Sequence, residues 1–131
     1  MTRRKTPKPK GLQPPGGLLC HGQTPGAKMD HFLYKNGTLH AEDVALPEIA
    51  TAVGTPFYVY STATLTRHYR LFTEALTPLP HLVCFAIKSL SNVAVLKTLG
   101  NLGAGMDVVS GGEYLRAKAA GVPGNRIVFS G

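Results

Sequence analysis

Tryptophan is missing from this 131-residue chain, cysteine occurs twice and acidic residues seven times, and each scarcity excludes something. Cys20 and Cys84 have no spacing that suggests a disulfide framework or a thiolate metal site, so a reducing cytosol suits the chain best. The five histidines (His21, His31, His40, His68 and His81) are scattered, none at ligand spacing with a second ligand type, and are read as structural or surface residues. No apolar run approaches the roughly 18 residues that cross a bilayer. Membrane, metal and cysteine-stapled classes are therefore set aside.

The shortage of acids leaves a net charge of +7, and its distribution decides what it means. Residues 1–28 hold Arg3, Arg4, Lys5, Lys8, Lys10 and Lys28 without one acid, whereas from Met29 onward eight basic residues face seven acidic ones. The surplus belongs to a tail, which argues against a nucleic-acid-binding fold. That tail is rich in Pro and Gly with no periodic apolar face, so it is expected to be disordered. Pro14, Pro15, Gly16 and Gly17 interrupt any signal-peptide core, and Met29 is an alternative start of the structured part.

What is present is a regular alternation of element signals. Asn36-Gly37 between short apolar runs predicts a hairpin over 31–40, because both central residues of a type I′ turn need positive φ. Leu46-Pro47-Glu48 opens a helix with Ile49 and Val53 expected inward and Gly54 closing it. "TPFYVYS" reads as a β-branched and aromatic strand. Ser61 caps a helix in which Leu65, Tyr69, Phe72 and Leu76 follow the 3.6 period, stopped by Pro78 and Pro80. "HLVCFAIK" is a strand. "NVAVLKTLG" is a helix capped by Ser91 or Asn92 and ended by Gly100. "GMDVVS" is a strand, and "GEYLRAKAAG" is a helix with Leu115 and Ala119 inward. "NRIVFSG" begins a third strand. Strand and helix alternating every ~20–25 residues is the signature of βα units on a parallel sheet. The pattern stops midway at Gly131, and a (β/α)₈ barrel takes roughly 250 residues, so the chain is expected to be a piece of a larger fold.

Two glycine motifs invite a phosphate-binding reading. In "GNLGAGMD", Gly100, Gly103 and Gly105 follow a helix and precede a strand, the reverse of a dinucleotide fingerprint, so they serve cap and turn. "SGGE" at 110–113 follows a strand and opens a helix. Its amides suit either an anion or a tight βα turn, with the turn favoured about two to one.

Lys88 is the residue out of place. It closes an apolar run, and an ammonium leaving water needs a partner or loses its proton; most lysines at such positions simply reach back to solvent. Counting by twos puts Leu82, Cys84, Ala86 and Lys88 on one face and Val83, Phe85 and Ile87 on the other, so Lys88 is expected to point inward at the mouth of a barrel. Asp107 stands near the carboxyl end of the next strand, the edge where α/β barrels place their chemistry. An amine there is placed to condense with an aldehyde.

Three segments now carry a resemblance: "GTPFYVYS" (54–61), "CFAIKSLSN" (84–92) and "LGAGMDVVSGGEYLRAKAAGVPGNRIVFSG" (102–131). In order and spacing they resemble the opening of the bacterial diaminopimelate decarboxylase family, pyridoxal-phosphate enzymes with an alanine-racemase-like barrel. The resemblance implies an α/β fold, the N-terminal part of a pyridoxal-phosphate-binding (β/α)₈ barrel over 54–131. It implies that 29–53 are a hairpin and helix on the side of a second, β-rich domain. It further implies that Lys88 holds pyridoxal 5′-phosphate covalently, that Asp107 lies beside the cofactor, and that the full-length protein is a cytoplasmic homodimer. The implied reaction is decarboxylation of meso-2,6-diaminopimelate to L-lysine and CO₂. The family's phosphate loop and substrate-selecting residues would lie after residue 131, so a chain ending there is expected to be inactive alone. The family carries K-A-N-S-N or close to it where this sequence has Lys88, Ser89, Leu90, Ser91 and Asn92, so Leu90 replaces a polar residue. A related ornithine or arginine decarboxylase shares the lysine strand, and a non-catalytic cofactor-binding barrel protein is the binding-module alternative.

Overall fold

A computed structural model describes residues 30–131; the expected tail over 1–28 lies outside them. The first described elements are three short antiparallel strands, β1 (Phe32–Lys35), β2 (Thr38–Ala41) and β3 (Val44–Ala45), in the order β1-β2-β3. Lys35 pairs with Thr38 across the turn, and Asn36 and Gly37 both have positive φ, 50° and 78°, as a type I′ turn demands. β3 is an addition that the sequence pattern does not announce. Helix α1 (Leu46–Val53) follows with Pro47 in its first turn and Gly54 at φ 80° closing it.

Two of the expectations for this region differ from the structure. Val53 is exposed, because helical spacing identifies residues that share a face without saying which face is covered. Phe57–Tyr60 form no strand: the segment has no ladder partner among the described residues, and Tyr58 and Tyr60 stand exposed.

Helix α2 (Thr62–Leu76) is capped by Ser61, whose side chain accepts from the Thr64 amide. Leu65 and Tyr69 pack against the core, whereas Phe72 is exposed instead of inward. Then come β4 (Cys84–Ala86), α3 (Val93–Asn101), β5 (Gly105–Val108), α4 (Gly111–Ala119) and β6 (Ile127–Phe129). The three strands form one parallel sheet in the order β4-β5-β6, with Phe85 opposite Met106 and Met106 opposite Ile127. This is the βα alternation read from the sequence.

The core lies between this sheet and its helices. Ile87, Leu96, Met106, Val108 and Val122 are its large fully buried members. Gly100 does not end α3: it sits inside the helix, where its missing Cβ leaves room for Val122 Cγ2, which would stand 2.9 Å from an added methyl. The helix is closed instead by Gly103 at φ 103°, with the Gly103 amide donating to Gly100 O and the Ala104 amide to Leu99 O. In α4 the inward residues are Ala117 and Ala120, while Leu115 and Ala119 are exposed. The small alanines let α4 lie close on the sheet, and Leu115 is left on the far side. At its start Ser110 Oγ accepts from the Glu113 amide and Glu113 Oε2 accepts from the Val109 amide at 2.8 Å. This reciprocal capping closes the tight βα turn internally.

Candidate active site

β4 carries its alternation only as far as Ala86. There the chain tightens into a one-turn 3₁₀ helix over Ile87–Ser89, closed by the Leu90 amide donating to Ile87 O at 3.0 Å and Ser89 Oγ donating to Ala86 O at 2.7 Å. Turning early changes what each residue faces. Ile87 drops into the core with no exposed surface, Leu90 packs against that core, and Lys88 is left exposed. Lys88 thus stands at the carboxyl end of β4 with its side chain solvent-accessible. Lys88 forms no ion pair or hydrogen bond among the described residues, so its amine is available to a ligand. Leu90, which replaces a polar residue of the family pattern, is partly buried against the core.

Asp107 occupies the equivalent edge of the next strand. In the parallel register Ala86 is opposite Asp107 and Cys84 opposite Gly105, so Lys88 lies two residues beyond the residue that Asp107 pairs with. A methyl added at Gly105 would come within 2.6 Å of Cys84 Sγ and 3.2 Å of Leu82 Cδ2, which places Leu82, Cys84 and Gly105 on one face. Asp107, two residues after Gly105, shares it, while Met106 and Val108 point to the helices. Asp107 is half-buried. Its Oδ1 accepts from Ser130 Oγ at 2.5 Å, and Ser130 is itself fixed by its amide donating to Val108 O. No ion pair joins Lys88 to Asp107: the fold brings the two to neighbouring strand ends without putting them in contact.

Cys84 lies on the same face, deeper along the strand. Its thiol titrates above the ordinary value, chiefly through burial and secondarily through the negative charge of Asp107, so it is not an activated nucleophile. The apolar groove lined by Leu65, Tyr69, Val83, Phe85, Leu99 and Ala104 contains neither Lys88 nor Asp107. Among the described residues no three His, Cys, Asp or Glu side chains group as a metal site would require. Ser130 is the residue that sequence reasoning missed. Its only local signal is its position one residue past the end of β6.

A parallel βα sheet thus carries a partner-free amine at one strand end and a carboxylate at the next. Comparison with known proteins gives the family. A family model, pyridoxal-dependent decarboxylase, pyridoxal binding domain, matches residues 62–131: the chain belongs to that family. It is 56% identical over 103 residues to the diaminopimelate decarboxylase of Pseudomonas fluorescens, covering 79% of this chain and 25% of that protein. It is 50% identical over 103 residues to that of Haemophilus influenzae, with the same coverage. Among solved structures, the diaminopimelate decarboxylase of M. jannaschii superposes with a TM-score of 0.73 at 34% identity, over 77% of this chain and 25% of that one. A second structure of that enzyme, in complex with L-lysine, gives 0.72. The chain spans about a quarter of the length of the relatives it matches, and over that quarter it has their fold.

The residues present fit a pyridoxal group in three respects. Lys88 offers a primary amine that no protein group occupies. The face it adjoins is kept low by Ala86 and Gly105. Asp107 offers a second carboxylate oxygen, Oδ2, that has no protein partner.

Proposed function

We propose that this chain supplies the lysine-bearing strands of a diaminopimelate decarboxylase, with Lys88 as the residue that holds pyridoxal 5′-phosphate and Asp107 as the carboxylate beside it. The observation that carries the reading is the placement of a partner-free lysine at the carboxyl end of β4, next to the strand end of Asp107, in a chain 50–56% identical to enzymes of that name. When bound, the cofactor would supply the electron sink for the bonding pair left on the α-carbon as CO₂ departs. Lys88 binds by its amine. The 3₁₀ turn, pinned by Ser89 and by Leu90 in the core, fixes where that amine originates. Asp107 presents negative charge to the cationic part of the ligand, held to one orientation by Ser130.

The substrate in this reading is meso-2,6-diaminopimelate and the product L-lysine. The presence of L-lysine in the M. jannaschii complex supports an amino acid as ligand. The resemblance to the bacterial enzymes supports a cytoplasmic homodimer. A hybrid enzyme tests the assignment: residues 30–131 replace the matching quarter of the P. fluorescens protein, and CO₂ release from meso-diaminopimelate is followed. The hybrid is expected to turn over, and its Lys88→Ala form to lose at least about 1000-fold in rate. A hybrid that folds and binds cofactor but releases no CO₂ from meso-diaminopimelate, or whose Lys88→Ala form keeps its rate, would overturn it.

A further inference from the structure

We infer that Ser130 is a positioning residue for the cofactor site, acting through Asp107; the inference rests on the reading of Lys88 and Asp107 given above. Three features carry it. Ser130 Oγ donates to Asp107 Oδ1 at 2.5 Å, a short charge-assisted hydrogen bond spanning 23 residues of sequence. The Ser130 amide donates to Val108 O at 3.1 Å, so the hydroxyl is carried on backbone that continues the β5–β6 ladder past Phe129. Finally, Oδ1 is the only Asp107 oxygen engaged, and Oδ2 is left for a ligand.

The physical consequence concerns rotamers. A half-buried aspartate on a strand end has several orientations of comparable energy, and only some present an oxygen toward the edge where Lys88 stands. A hydroxyl that accepts no competing geometry selects one of them before any ligand arrives, so the ordering cost is met in folding rather than in binding. Serine is short enough to do this from the neighbouring strand end. Alanine removes the donor, while threonine keeps it.

The test uses the hybrid enzyme described above, which supplies the remainder of the barrel. Pyridoxal phosphate is added, the carbon–nitrogen bond formed with lysine is reduced by borohydride, and the rate of capture at Lys88 is read by peptide mapping, with thermal unfolding followed in parallel. Ser130→Ala is expected to slow capture at Lys88 by about 3- to 10-fold and to leave capture at Lys97 and Lys118 unchanged. Ser130→Thr is expected to restore the wild-type rate to within about twofold. In an Asp107→Ala background, which removes the acceptor, Ser130→Ala is expected to have no further effect, since a shared mechanism is non-additive. Unchanged capture in Ser130→Ala, or an equal loss in both backgrounds, overturns the inference while leaving Lys88 in place. A hybrid with no preference for Lys88 overturns the underlying site reading, and this inference falls with it.

Discussion

Glu42 accepts a hydrogen bond from Ser61 Oγ at 2.8 Å and another from the Ala63 amide at 2.9 Å, so a residue just beyond β2 caps the helix that precedes the parallel sheet. Its own backbone is bent to suit, at φ 56°, with its amide donating to His31 O. His31 in turn binds Thr64 Oγ1 through both its amide and Nδ1, each at 3.0 Å. The hairpin and α2 are thereby joined by polar contacts.

Acid should loosen this joint. The Ala63 amide first, then the Ser61 hydroxyl, hold the Glu42 carboxyl below its ordinary value of 4.5. A folded-state value below the unfolded one means stability that is fully present above about pH 4.5 and lost as pH falls through the folded value. Because the group is only partly buried and is screened by solvent, its share is small, about 0.5–1 kcal/mol. Glu42→Gln is expected to lower stability by about that amount at pH 7 and to flatten the acid limb of a pH series of denaturant unfolding curves. Parallel acid limbs for the two proteins would show that the carboxylate does not act here.

Gly105 marks where β4, β5 and β6 meet most closely. An added methyl would sit 2.6 Å from Cys84 Sγ and 2.7 Å from Arg126 O; the second is backbone and cannot swing aside. Gly105→Ala is therefore expected to cost about 1–3 kcal/mol, with amide exchange accelerated in β5 before β1–β2. Gly111→Ala, with open space around it, is the control and should change stability far less.

Leu96 has no exposed surface and lies at the centre of the core with Ile87 and Met106. Leu96→Ala is expected to destabilise by about 2–5 kcal/mol, while Leu115→Ala, on the exposed side of α4, should fall within about 0.5 kcal/mol of wild type. Equal losses would reverse the assignment of the α4 face.

Ser110→Ala removes the acceptor for the Glu113 amide at the start of α4 and is expected to cost about 1 kcal/mol, measured by urea unfolding. No change would mean that the Glu113 carboxylate on the Val109 amide suffices by itself.

The alternation of strands and helices was legible because its signals are local. Ser61, Asn92 and Ser110 cap the helices that their positions announce, and Asn36-Gly37 makes the hairpin turn. Burial was less legible. Val53, Phe72 and Leu115 have helical spacing and apolar character, yet all are exposed among the described residues, while the true inward face of α4 is marked only by the small Ala117 and Ala120. At the site, Lys88 and Asp107 were found by their places at strand ends. The 3₁₀ turn at Ile87 that carries Lys88 is encoded by no alternation pattern. Ser130 was missed because its partner is 23 residues away.

The account turns on the amine of Lys88, and trapping it chemically is the most direct measurement. Treating the hybrid of this chain and the P. fluorescens enzyme with pyridoxal phosphate, reducing with borohydride and mapping the modified peptides is predicted to place the pyridoxyl group chiefly on Lys88. Lys35, already paired with Asp43 at 2.9 Å, and the helical Lys97 and Lys118 should be labelled at background level. Label spread evenly over these four lysines would contradict the assignment of Lys88 as the residue that holds the cofactor.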